Sequence, residues 1–216
     1  MEITKEQILD VMKNLNDEDM SYIIYNKINN FGETINGIAE DLDYDISYGC
    51  SKIVVDFDED CDWVIKIPRL AAFKNNYCKI EKINYELAVE NGLQDFFAET
   101  RFVDYFFDIP VYIQRKMKLN EDNISNKLYS FVESRLSKEN EADFCSDYDK
   151  DCFIQCEIDE MSSLESLTAI LSDEYCPEDI EKLANFCEDN DINDFHCGNF
   201  GYDENGHMRL IDFSGI

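Results

Sequence analysis

The sequence is short of positive charge. Lysine and arginine number 19 in 216 residues, against 48 aspartates and glutamates, for a formal charge of −29. A chain this acidic does not bind nucleic acid by general attraction to phosphate, so no direct nucleic-acid contact is expected. A basic protein is the partner such a surface attracts; solubility in a crowded cytoplasm is the plainer use of the charge. Histidine is scarce as well, with two residues, and no CxxC spacing occurs among the nine cysteines. Both facts argue against zinc. An odd number of cysteines would leave one over from a disulfide framework, so reduced cysteines acting as small apolar side chains are expected. No apolar run approaches the roughly 18 residues of a membrane helix. The opening MEITKEQILDVMK lacks the charged-then-apolar pattern of a signal peptide. The expectation is a cytoplasmic protein with no membrane partner.

What is present suffices for a core. Hydrophobic residues make up 44% of the chain, with 15 Phe and 12 Tyr, and the length fits one domain or two small lobes. Thr4 and Gln7 form a capping-box start, with Ile3 placed to staple onto Ile8. Ile8, Val11, Met12 and Leu15 follow at helical spacing. After a break at Asn16-Asp17, Met20, Ile23, Ile24 and Ile28 continue a second helix. From Ile46 the period changes. SYGCSKIVVDF and WVIKIP (Trp63 to Pro68), joined by the polar DEDCD, read as a β-hairpin. Lys79 to Gly92 reads as a helix ended by a C′ glycine, and DIPVYIQRKM as a further strand. From about Leu119 to Asn190 the pattern is helical, and Ser137 to Asp151 is the best loop candidate. No internal repeat is found. The sum is an α+β chain in three parts: a helical extension over 1–45, a strand-rich part with one prominent helix over 46–117, and a helical part over 118–216 that ends in a small hairpin.

That last hairpin lies in NDFHCGNFGYDENGHMRLIDFSGI, which holds both histidines and half of the eight glycines. Asn205-Gly206 is a strong turn signal. A two-residue turn centred on it opposes Glu204 to His207 and, further out, Asn199 to Asp212. An amide oxygen and a carboxylate brought together in this way suit Mg²⁺, a hard cation that also accepts phosphate oxygens and water. Asp194, five residues before Asn199, supplies a second carboxylate, placed to orient an attacking hydroxyl and accept its proton. Asp, Asn and Gly are also ordinary turn residues; the ordered set, ending in an apolar strand and Asp212, favours chemistry.

D-F-H-C-G-N followed by L-I-D-F-S-G resembles the catalytic loop and metal-binding aspartate of the protein-kinase-like superfamily, in the form used by its aminoglycoside- and choline-kinase branches and by small kinase-like proteins of phages and mobile elements. The resemblance covers about residues 46–216. It implies a two-lobe kinase-like fold: an N-lobe of antiparallel sheet plus helix, and a reduced helical C-lobe ending at the metal-binding hairpin. It implies ATP and Mg²⁺ as cofactors, with Asp194 as catalytic base and Asn199 and Asp212 as metal ligands. His196 would organise the loop from inside. Lys66, in V-I-K, would reach the phosphates, and Val64 on the same face of its strand would roof the base. The helix offers Glu81, Glu86 and Glu90 as partners for the lysine. Glu81 and Glu86 lie about 140° apart around a helix, so both cannot face it. Glu81 fits the small phage-type relatives better, and Glu86 stays open as the alternative. Backbone near Arg115 to Met117, at Lys116 and Met117, would meet adenine.

Two features depart from the pattern. The phosphate loop is Y-G-C-S-K, where Gly49 allows one close backbone approach and Ser51 offers a hydroxyl. The chain also ends four residues after Asp212, where protein kinases carry an activation segment and peptide platform. The expectation is an ATP-dependent phosphotransferase acting on an unknown small molecule or protein. The alternative is a pseudokinase-like acidic interaction protein, without catalysis, that binds a basic partner and mimics nucleic acid.

Overall fold

A computed structural model describes residues 3–14, 44–49, 51–57, 61–69, 75–136 and 147–215. The chain is mixed α and β and divides into two units: Met1–Gln94 with Ala98–Lys116, and Asp95–Phe97 with Met117–Ile216. The expected second helix around Met20 to Ile28 lies outside the described residues.

The first unit is built on a five-stranded antiparallel sheet in the order β1-β2-β3-β5-β4. Its strands are β1 (Tyr44–Tyr48), β2 (Lys52–Phe57), β3 (Trp63–Pro68), β4 (Thr100–Phe106) and β5 (Ile109–Arg115). Alternation sorts the side chains. Ile53 and Val55, then Trp63, Ile65 and Ile67, then Ile109, Val111 and Ile113 share one face and form a single apolar cluster with Ile8, Val11 and Met12 of α1 (Lys5–Asn14). The capping box is present: Gln7 N–H donates to Thr4 Oγ1 at 3.2 Å, and Thr4 N–H to Gln7 Oε1 at 2.9 Å. Burying each of the three α1 side chains contributes about 1.5–3 kcal/mol. The helix assigned to an extension is therefore part of this unit's core. Trp63 is fully buried, with the guanidinium groups of Arg101 and Arg115 each 4.7 Å from its ring centroid.

The opposite face of the sheet carries Lys52, Val54, Val64 and Lys66 and meets α2 (Tyr77–Glu90), whose buried side is Cys78, Glu81, Asn84 and Ala88. Asn76 fixes the start of α2. Its side-chain oxygen accepts the Lys79 N–H at 3.0 Å, while its Nδ2 donates to the Tyr112 hydroxyl at 3.1 Å. Burial pushes that phenol up to about 12. The β4–β5 hairpin was not singled out in the sequence. It turns on Phe107 and Asp108, with φ of 52° and 64°, the left-handed pair of a type I′ turn.

The second unit has a three-stranded antiparallel sheet, β6 (Lys118–Leu119), β7 (Phe200–Tyr202) and β8 (Met208–Leu210). Four helices accompany it among the described residues: α3 (Glu121–Arg135), α4 (Asp147–Asp159), α5 (Ser163–Leu171) and α6 (Pro177–Asp189). The loop expected over Ser137 to Asp151 is corrected at its end, since α4 already begins at Asp147. Helix α5 starts on a full capping box of Ser162 and Glu165. Phe97 joins the core edge-on to Phe186 and Phe213, at 5.7 and 5.0 Å between ring centroids. Cysteine use is divided: Cys61, Cys78 and Cys187 are buried, and Cys152, Cys156 and Cys176 are exposed. Burial pushes the Cys187 thiol up to about 12.

Gly206 and Gly215 both have left-handed backbones, with φ of 81° and 64°. A Cβ on Gly206 would meet open space, whereas one on Gly215 would lie 2.1 Å from the Asp191 carbonyl oxygen. Gly206→Ala is expected to cost about 1 kcal/mol of stability from the backbone alone. Gly215→Ala is expected to cost at least about 3 kcal/mol, because steric overlap is added. Chemical denaturation of the two variants compares them, and equal losses would mean that the Asp191 contact relaxes freely.

Candidate functional site

In the first unit the candidate residues converge on one buried carboxylate. Glu81 is 0% exposed. The Lys66 ammonium donates to its Oε2 at 3.0 Å and its Oε1 at 3.2 Å. Strand β3 sets this up: Lys66 and Val64 share the face toward α2, and Val64 is buried beside it. The choice left open on the helix falls on Glu81. Glu86 instead pairs with Lys82 at 2.6 Å, one turn away and partly exposed, and Glu90 is exposed.

A residue that the sequence reading passed over completes this group. Lys52, at the start of β2, donates to Glu81 Oε1 at 2.5 Å and is 3% exposed. The signal was in the hairpin register. Val54 lies opposite Lys66, so Lys52 is the diagonal neighbour of Lys66 on the same face. Two lysines so placed repel unless a carboxylate stands between them.

The remaining candidates of this unit have other engagements. Gly49 was expected to offer its backbone to phosphate. Its N–H instead donates to the Lys52 carbonyl at 2.9 Å, closing a tight hairpin connection. Arg69 holds the same connection from outside, donating Nη1 to the Gly49 carbonyl at 2.8 Å and its N–H to the Ser51 carbonyl at 2.9 Å. Ser51 is buried at 4% exposure. Gly49 thus serves strand pairing, because the ladder claims its only donor. Lys116, expected to meet adenine through its backbone, also has its amide engaged. Its N–H donates to the Asp62 carbonyl at 2.8 Å, and its ammonium pairs with Asp56 at 2.7 Å. Met117 opens the second unit, packed so closely on Gly201 that a Cβ there would lie 2.6 Å from its own Cβ.

In the second unit the loop before β7 is held by its own polar groups. Asn199, 5% exposed, donates Nδ2 to the Asp194 carbonyl at 2.9 Å, which turns its amide oxygen the other way. Gly198 N–H donates to His196 Nδ1 at 3.0 Å. His196 does organise the loop, but not from inside. Its side chain is 57% exposed, with Nε2 3.5 Å from Asp194 Oδ2, and the Asp194 side chain is 49% exposed. The accepting Nδ1 requires that the proton of a neutral ring sit on Nε2.

The terminal hairpin is one residue out of the expected register. Phe200 pairs with Leu210 and Tyr202 with Met208, and Ile211 N–H donates to the Asn199 carbonyl at 2.9 Å. Asn199 therefore opposes Ile211, and Asp212 follows one residue later. Asp203 causes the slip. Its Oδ1 accepts both the Asn205 and the His207 N–H at 2.9 Å, and its own N–H donates to the His207 carbonyl at 2.9 Å. Three residues, with Gly206 in the left-handed region, then make the turn. Burial pushes the Asp203 carboxyl up, but the His207 amide, the Arg209 guanidinium and the Asn205 amide outweigh it and hold it below the usual range. Asp212 Oδ1 accepts the Ser214 hydroxyl at 3.1 Å.

Among the described residues, no three His, Cys, Asp or Glu side chains form a metal-binding group. The Asn199 amide oxygen and the Asp212 carboxylate are hard donors that could hold Mg²⁺ only with outside oxygens completing the shell. A cavity of about 490 Å³ lies beside Asp194 and His196, walled also by Tyr129, Gln155 and Asp159. No family model, curated protein or solved structure matches the chain.

The buried carboxylate gives a stability test. Glu81→Gln is expected to cost about 3–5 kcal/mol, the usual result of breaking a buried ion pair from one side. Glu86→Gln, at an exposed i,i+4 pair, is expected to change stability by no more than about 0.5 kcal/mol. Urea unfolding of both variants checks the contrast, and a Glu81 loss as small as that of Glu86 would refute the assigned burial.

Proposed function

We propose that this chain is a cytoplasmic, kinase-like, ATP- and Mg²⁺-binding protein that transfers a phosphoryl group to a small acceptor, with the sheet unit in the role of the N-terminal lobe and the helical unit as a reduced C-terminal lobe. The observation that carries this reading is the buried Lys66–Glu81 pair at 3.0 Å. A lysine withdrawn from water onto a strand and held by a helix carboxylate is costly as mere solvated surface and apt as a fixed cation for phosphate.

Each residue then has a task. Glu81 holds the Lys66 ammonium in one position, and Lys66 binds phosphate oxygens. Val64, on the same face, offers an apolar surface to the base. Asn199 and Asp212 would hold Mg²⁺, which supplies charge neutralisation of the phosphates when bound. The half-exposed Asp194 carboxylate orients the acceptor hydroxyl and takes its proton. The cavity beside Asp194, about 490 Å³, is of the size that takes a small molecule. Catalysis on this reading is positioning plus electrostatics.

A second reading has its own support. The Gly49 amide is engaged within the hairpin connection, which removes a backbone donor that a phosphate loop would use, and the charge of −29 suits a binder of basic proteins. On that reading the fold is a non-catalytic scaffold.

Thermal melts separate the two. A ligand that binds only the folded state at a hundredfold excess over Kd stabilises it by about 2.7 kcal/mol. ATP with Mg²⁺ is expected to raise the melting temperature, more than ATP alone. Lys66→Met is expected to lose the shift. Asp212→Asn is expected to lose its metal-dependent part, and Asp194→Asn to keep the shift while losing turnover. No shift with wild type at millimolar ATP and Mg²⁺, together with a basic protein that is captured and then released by salt, would overturn the proposal in favour of the scaffold.

A further inference from the structure

The candidate phosphate site has an unusual composition: two buried lysines on one carboxylate. Lys52 and Lys66 both donate to Glu81 Oε1, at 2.5 and 3.2 Å. Two nitrogens bonded to one oxygen at those distances lie no more than about 6 Å apart. Their side chains are only 4% and 6% exposed, so an anion reaching them meets charge in surroundings of lower dielectric than bulk water, where attraction is several-fold stronger.

The same stretch of chain explains why a second cation would be needed. Lys52 directly follows a connection whose glycine amide is already engaged: the Gly49 N–H donates to the Lys52 carbonyl, and Arg69 donates to the carbonyls of Gly49 and Ser51. A loop that binds phosphate through glycine amides requires those donors pointed at the ligand. Here the Gly49 donor points into the ladder, and the residue at the end of the turn sends a lysine to the position where Lys66 already stands.

We propose that Lys52 is a second phosphate-binding residue, and that Lys52 and Lys66, spaced by their shared Glu81, form a two-lysine anion site that takes the place of a glycine-rich loop. The proposal rests on the kinase-like reading for its natural ligand, a nucleoside triphosphate. The site itself recognises only the polyphosphate. Glu81 fixes the spacing of the two ammonium groups so that they engage two oxygens of one phosphate or of adjoining phosphates. It also limits their mutual repulsion while no ligand is bound.

The test uses the full chain and inorganic tripolyphosphate without metal as probe, with ATP in parallel, both with and without Mg²⁺. In isothermal titration, Lys52→Met is expected to weaken tripolyphosphate binding roughly tenfold to a hundredfold, the equivalent of one charge-assisted hydrogen bond. Lys66→Met is expected to weaken it by a similar factor. A second measurement needs no variant to fold: with ¹³C-labelled lysine, the Cε resonances of both Lys52 and Lys66 are expected to shift when tripolyphosphate is added to the wild type. If tripolyphosphate moves only Lys66, or if a folded Lys52→Met binds as tightly as wild type, Lys52 is a structural support for Glu81 and the inference is overturned while the ATP reading stands. Tripolyphosphate binding through both lysines without ATP binding upholds the anion site and overturns the kinase-like reading. No binding of either probe at millimolar concentration overturns both.

Discussion

A carboxylate removed from water holds the first unit in register. Glu81 has no exposed surface, and taking an ionised carboxylate out of water costs several kcal/mol unless well-placed partners answer it. The partners come from two adjacent strands, Lys52 on β2 and Lys66 on β3. The rotation of α2 about its axis, its height along the sheet and the β2–β3 register must therefore all agree before that charge is satisfied. The other face of the sheet has no such demand. There Ile8, Val11 and Met12 meet a continuous apolar surface, which tolerates small shifts. One face gives the unit its bulk stability, and the other gives it a specific arrangement.

Much of this was legible in the sequence where periodicity was strong. The β2–β3 hairpin, the helix ending near Gly92, the strand before Arg115 and the Thr4–Gln7 box follow from alternation, helical spacing and cap chemistry. What escaped had physical reasons. The β4–β5 turn uses Phe107 and Asp108 at positive φ, and Phe sends no turn signal. The terminal hairpin carries the Asn-Gly dipeptide, but Asp203 binds two amides across the turn. That side-chain preference outweighs the two-residue turn, and a single slip separates Asn199 from Asp212 in the pairing. Lys52 was hidden because a strand lysine is ordinarily solvated; only the cross-strand diagonal with Lys66 distinguishes it. Between Glu81 and Glu86 the helical angle could say that one must lose, but burial was needed to say which.

The second unit shows local polar groups doing what a long core would do elsewhere. The loop from Asp194 to Asn199 is tied by an amide to a carbonyl and by an imidazole nitrogen to a glycine N–H, while Asp194 and His196 keep exposed side chains. The backbone is thus fixed without burying the groups that could act. Elsewhere in the unit, close approaches of Gly201 to Met117 and Lys118 and of Gly215 to Asp191 leave no room for a side chain.

The chain has one tryptophan, and it lies in the core of the sheet unit, with the guanidinium groups of Arg101 and Arg115 close to its ring and no exposure to solvent. Its intrinsic fluorescence consequently reports on that unit alone. Two guanidinium groups over the indole and exclusion of water give a native emission that changes once β3 separates from its neighbours. The helical unit, whose aromatic residues are Phe and Tyr, is silent at the wavelengths that excite only indole. Tryptophan emission and far-ultraviolet circular dichroism therefore follow different parts of the same molecule, and the separation of their transitions in denaturant measures how far the two units unfold as one.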